Sequence, residues 1–148
     1  QRSAALEAGA AAHADWTIAA QLNGDFTQAK AYEETIAYLQ SSPAPDVVYC
    51  ENDNMCFGVM QALDELGIAY GDGSVTLISF DAGRTALSYC KDGKIDLCAE
   101  CNPLHGPRVR ALIEQLARGE TPEKLSYMPE ALFTADTLTA ELLESRVY

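Results

Sequence analysis

Three apolar runs in this chain each end on amide and carboxylate side chains. Residues 46–50 run into Glu51, Asn52 and Asp53, residues 75–80 into Asp81, and residues 95–99 into Glu100, Cys101 and Asn102. A carboxylate accepts hydrogen bonds from two neighbouring hydroxyls, and a side-chain amide donates and accepts at once. An arginine fork adds charge-assisted bonds to ring or hydroxyl oxygens. Gathered on one rim, such groups suit a polyhydroxylated ligand such as a sugar. Taken singly, Asn52, Asp53 and Asp81 also suit the N-caps of helices, whose first-turn N–H groups their oxygens would accept. The convergence of three run ends is what points to a site.

Other chemistries find less support. The only histidines are His13 and His105, and no nucleophile elbow accompanies either. Gly71-Asp72-Gly73 fits neither common phosphate-loop pattern. Asp53 and Asp81 could hold a cation as in a receiver-type phosphotransfer domain, but the lysine such a site uses at a later strand end is missing. Cys98 and Cys101 form a C-x-x-C. Zinc would want a second matched pair, and only His105 is near; a redox pair would want a helix starting at its first cysteine. Cys50, Cys56 and Cys90 lie in apolar patterns and read as core residues. No catalytic residue, cofactor or metal site is expected.

The elements that must position the rim follow from the apolar period. Helices are expected over 4–13, 27–39, 52–66, 81–91, 103–118 and 138–145. Strands are expected over 16–22, 46–50, 75–80 and 95–100, and an extended segment over 125–134. Continuous rather than alternating apolar character marks the 46–50 run as a strand buried on both faces. Ala29, Tyr32, Ile36 and Leu39 share one face of the second helix, Met55, Val59, Leu63 and Leu66 one face of the third, and Val109, Leu112, Ile113 and Leu116 one face of the fifth. Gly67 stops the third helix, and Gly71-Asp72-Gly73 is expected to turn. Alternation of strand and helix implies a Rossmann-like α/β fold, a parallel sheet in three layers with helices on both faces. Ligands of such sheets lie beyond the carboxyl ends of the strands, which is where the three polar clusters fall.

The bulk properties agree with a single globular unit. The chain has 148 residues, 48% hydrophobic and 22% charged. Its 22 acidic and 10 basic side chains leave a formal charge of -12, which repels nucleic acid and anionic membranes. No apolar run approaches the length of about 18 residues that suggests a membrane span. No secretion signal is visible, and the chain opens on Gln1 rather than an initiator Met, as a cut or processed end would.

Asp25-Phe26-Thr27-Gln28-Ala29-Lys30-Ala31, then Glu51 to Gly58, then Gln61-Ala62-Leu63, resemble the type I periplasmic sugar-binding proteins of ABC transporters, of the ribose-, galactose- and galactofuranose-binding kind. Ile78 to Gly83 is similar to that family's next strand with its ligand Asp, and Glu100 to Pro107 to the crossing segment of the galactofuranose branch. The resemblance implies that Asn52 and Asp81 hydrogen-bond a sugar. It puts Arg2 in the place of a sugar-binding arginine, although Ala5-Leu6 stands where the family has Gly-Phe. Cys101 falls on a ligand glutamine, a job a thiol cannot do, so either Asn102 replaces it or the sugar differs.

The family has two lobes with the sugar between them. By resemblance residues 1–103 are the C-terminal lobe, lacking its first helix and strand, and residues 104–148 are a hinge-crossing segment that packs partly on the other lobe. The implied function is solute binding for sugar uptake, with no chemistry. Its partners are a pentose or hexose, in furanose form in some relatives, and a membrane permease. The implied location is extracytoplasmic, in the periplasm or as a surface lipoprotein. The incomplete lobe leads one to expect weak sugar binding by these residues alone, and self-association or a domain swap that covers the helix over 103–118. The alternative reading is the effector domain of a LacI-type sugar-responsive regulator, which shares the fold and suits five free cysteines.

Overall fold

The computed structural model describes residues 1–71 and 73–148. In chain order the elements are α1 (Arg2–Ala11), α2 (Gln28–Leu39), β1 (Val47–Tyr49), α3 (Asp53–Leu66), β2 (Thr76–Asp81), α4 (Arg84–Lys91), β3 (Leu97–Glu100), α5 (Gly106–Ala117), β4 (Leu132–Phe133) and α6 (Ala140–Ser145). The strands lie side by side in chain order, β1-β2-β3-β4. β1 and β2 pair in parallel, with Val48 opposite Leu77, and β2 and β3 likewise, with Ser79 opposite Cys98. The α/β class therefore stands, with one correction: β4 runs antiparallel to β3, placing Phe133 opposite Cys98.

α3 shows how sequence becomes packing. Its start is set by Asn52, whose side-chain oxygen accepts the Met55 N–H at 2.8 Å. Its end is set by Gly67 in the left-handed region at φ 64°, where an L side chain would be strained. Between them Cys56, Val59, Met60, Ala62 and Leu63 are buried. Burying one such large apolar side chain is worth about 1.5–3 kcal/mol. Gly58 lets α2 come close, since a Cβ there would lie 2.2 Å from the Gln28 carbonyl oxygen. Leu63, Leu77, Leu87, Ile95 and Leu138 form the fully buried centre of the core.

Several expected elements shift. On α2 the buried residues are Ala31 and Thr35, while Ala29 is exposed. On α3, Val59 and Leu63 turn inward as expected, but Leu66 is exposed. The third strand starts at Leu97 rather than Ile95, which is buried ahead of it. The 125–134 segment pairs only through Leu132 and Phe133. The fifth helix is trimmed to α5, and the last begins at Ala140, where the Thr139 hydroxyl caps it by accepting the Leu142 N–H. Asp72, in the expected turn, lies outside the described residues.

The strand expected over 16–22 does not form. Trp16 and Leu22 are 55% and 47% exposed, and the residues between carry no strand assignment. A strand is made by its ladder rather than by its composition, and among the described residues β1 pairs only with β2. α5 stands apart in a similar way. It buries no residue, and Val109, Ile113 and Leu116 are 49%, 60% and 61% exposed.

Candidate ligand-binding rim

β1, β2 and β3 deliver their carboxyl ends to one side of the sheet, and α1 begins there. The Arg2 guanidinium donates to the carbonyl oxygen of Glu51, just past β1, and through Nη2 to Asp81 Oδ1 at 3.0 Å, at the end of β2. Beneath it lies the Phe80 ring, 4.9 Å from the guanidinium carbon. Tyr49 packs against Phe80 with centroids 5.0 Å apart and donates its hydroxyl to the Arg2 carbonyl at 3.4 Å. The Ser3 hydroxyl donates to the Glu51 carboxylate. The third strand joins through Cys101, whose N–H donates to the Asp81 carbonyl at 3.2 Å.

Of the expected residues, Arg2 and Asp81 touch each other, whereas Asn52 and Asn102, just past the ends of β1 and β3, are engaged with other groups. Arg2 and Asp81 form an ion pair whose side chains remain 28% and 45% exposed. So open a pair contributes at most about 1 kcal/mol to stability, and its oxygens and N–H groups face solvent where a ligand could share them. Asn52 is buried, and its amide is already engaged: Oδ1 caps α3 and Nδ2 donates to the Phe26 carbonyl at 3.2 Å. One N–H and one lone pair remain to it. The Asn102 side-chain oxygen accepts the Leu104 N–H at 2.9 Å, while the Asn102 backbone N–H donates to Glu130 Oε1 at 3.1 Å.

Asp53 turns away from the rim. It is 8% exposed and accepts from the Ser79 hydroxyl at 2.5 Å and the Gly83 N–H at 2.8 Å. Burial pushes its carboxyl pKa up, against the pull of those two donors. It ties α3 to β2 and to the turn after it. The C-x-x-C divides: Cys98 is fully buried and Cys101 exposed. Cys50, Cys56 and Cys90 are buried in the core, as their patterns predict. His13 stacks on Trp16 at 4.5 Å on an exposed surface. Among the described residues no three His, Cys, Asp or Glu side chains gather to hold a metal, and no helix is long and apolar enough to cross a membrane.

Sequence reasoning missed what stands behind the rim. Arg146 bonds Glu100 Oε1 at 2.8 Å, with side chains only 13% and 7% exposed. Its guanidinium carbon lies 4.3 Å and 5.2 Å from the centroids of Tyr148 and Phe133, and the Tyr148 hydroxyl donates to Glu100. Burial pushes the Glu100 carboxyl up, but Tyr148 and Arg146 together outweigh it and hold the pKa below the ordinary value. Burial, then the Glu100 carboxylate, push the Tyr148 hydroxyl up to about 12. Glu100 and Arg146 lie 46 positions apart in the sequence, and no local pattern connects them.

Residues 1–116 match the model of the periplasmic binding protein domain. The chain is 31% identical to the galactofuranose-binding protein YtfQ of Escherichia coli over 124 residues, 81% of this chain and 39% of that protein. A Mycobacterium smegmatis structure in complex with β-D-fucofuranose matches with a TM-score of 0.74 and 32% identity, over 81% of this chain and 39% of that one. The periplasmic component of the arabinose ABC transporter from Shewanella sp. ANA-3, bound to α- and β-L-arabinofuranose, matches with a TM-score of 0.85 and 25% identity, over 99% of this chain and 52% of that one. The chain therefore spans about half or less of the length of these relatives. With three strand ends converging on one polar rim and a family model matching most of its length, the chain belongs to the periplasmic binding protein domain family.

Proposed function

We propose that this chain is part of the solute-binding component of an ABC sugar uptake system. It takes a monosaccharide in furanose form at the rim of Arg2, Asn52, Asp81 and Asn102, for delivery to a membrane permease outside the cytoplasm. The observation that carries the reading is the open Arg2–Asp81 pair over the Phe80 ring. A carboxylate and a fork donor side by side serve the adjacent hydroxyls of a small sugar. The furanose form is supported by the three relatives, whose names and bound ligands are galactofuranose, fucofuranose and arabinofuranose. The bare face of α5 supports the reading of residues 104–148 as a crossing segment that packs partly on a second lobe.

Titration calorimetry of the complete protein with L-arabinose, D-galactose and D-fucose tests this. At least one should bind, and Asp81→Ala should weaken it tenfold or more. Absence of binding by all three, or an Asp81→Ala variant of unchanged affinity, would overturn it. Residues 1–148 alone should bind the same sugar weakly and self-associate through the bare α5 face; light scattering that shows a monomer at every concentration would remove the second expectation.

A further inference from the structure

Asp81 and Ala82 carry φ values of 98° and 58°. Both are L residues in the left-handed region, a conformation that lasts only where the surroundings impose it. Three contacts do so. The Asp81 carbonyl accepts from the Cys101 N–H at 3.2 Å. The Gly83 N–H donates to Asp53 at 2.8 Å. Between them, the Ala82 carbonyl accepts two bonds from one guanidinium, Arg146 Nε at 3.3 Å and Nη2 at 3.1 Å. Arg146 is itself fixed from several sides, by Glu100, by the Tyr148 and Phe133 rings, and through its own carbonyl, which accepts from Arg84 Nε at 3.1 Å. It does not touch the Asp81 side chain. It holds the next peptide, one residue past the carboxylate that pairs with Arg2.

We propose that Arg146, braced by Glu100, is a positioning residue of the ligand site: it sets the backbone of the Asp81–Ala82 step and so the aim of the Asp81 carboxylate. The proposal rests on the sugar-binding reading above. It assigns part of the affinity to an ion pair of low exposure behind the rim, supplied by the segment after α6 and by the last residue of β3.

A double-mutant cycle on the complete protein separates positioning from general support of the fold, because residues acting through one another give losses that do not add. Affinities for L-arabinose, D-galactose and D-fucose are measured for the unmodified protein, Arg146→Met, Asp81→Ala and the double variant. Arg146→Met should lose about tenfold in affinity when Asp81 is present and less than about twofold when it is Ala. Arg146→Lys, which keeps the charge but not the paired donors, should recover only part of the loss. Should Arg146→Met fail to fold, Glu100→Gln, which leaves the guanidinium in place but unbraced, runs through the same cycle. Losses that multiply independently, or an unchanged affinity, would overturn the positioning role and leave the sugar-binding reading intact. If none of the three sugars binds the unmodified protein, that reading fails and the positioning role falls with it.

Discussion

α3 and α5 are close in length, 14 and 12 residues, and both place large apolar side chains at helical spacing. One buries seven residues and the other none. α3 meets α2 across Gly58 and lies on β2, so its apolar face has partners inside the chain. α5 leaves the sheet after Glu100, and the chain returns to it only at Ala131, whose carbonyl accepts from the Glu100 N–H at 2.9 Å. Amphipathic pattern thus states that a face wants covering and does not say what covers it.

The largest effect is expected where the chain departs for α5, at Glu100, which pairs with Arg146 from beyond α6. Arg146→Met leaves a buried carboxylate without its partner and should cost about 3–5 kcal/mol in urea unfolding. A loss below about 1 kcal/mol would show the pair to be as weak as a surface bridge. Within the body, Leu63→Ala removes a fully buried side chain and should cost about 2–5 kcal/mol. The equivalent truncation on the other helix, Ile113→Ala, should stay within about 0.5 kcal/mol for residues 1–148. Equal losses at the two would mean that α5 is covered in solution. Gly58→Ala drives a methyl against the Gln28 carbonyl and should cost about 1–3 kcal/mol, whereas Gly106→Ala, with nothing within 4 Å, should be near neutral.

Acid gives the subtlest contrast. The folded Glu100 carboxyl lies below its ordinary value of 4.5, so it contributes stability above that value and loses it as pH falls through the folded one. Asp53 runs the other way: its folded carboxyl is raised, so it weakens the fold as pH rises through its folded value. The stability gap between the unmodified chain and Glu100→Gln should therefore narrow between about pH 5 and pH 3. A gap that stays constant would show that Glu100 has the same pKa folded and unfolded.

The parallel strands β1, β2 and β3, the Asn52 cap and the Gly67 stop were legible because each rests on a local signal: a continuous apolar run, a capping amide, a residue free to adopt positive φ. So was the arrival of Asn52, Asp81 and Asn102 on one side, since parallel strands share their carboxyl edge. Residues 16–22 misled for the opposite reason. Their composition is that of a strand, but a strand requires a neighbour, and composition carries no neighbour.

Local signals in the sequence carried the class of fold, the parallel run of its first three strands and the polar character of the rim, because helix caps, stops and apolar periods act within a few residues of one another. Long-range packing placed Asp53 inside, set Arg2 and Asp81 face to face in the open, and brought Arg146 back to the turn after β2. These outcomes depend on contacts across 26, 79 and 64 positions. At such separations the packing of the whole chain, and no local preference, selects which side chains meet.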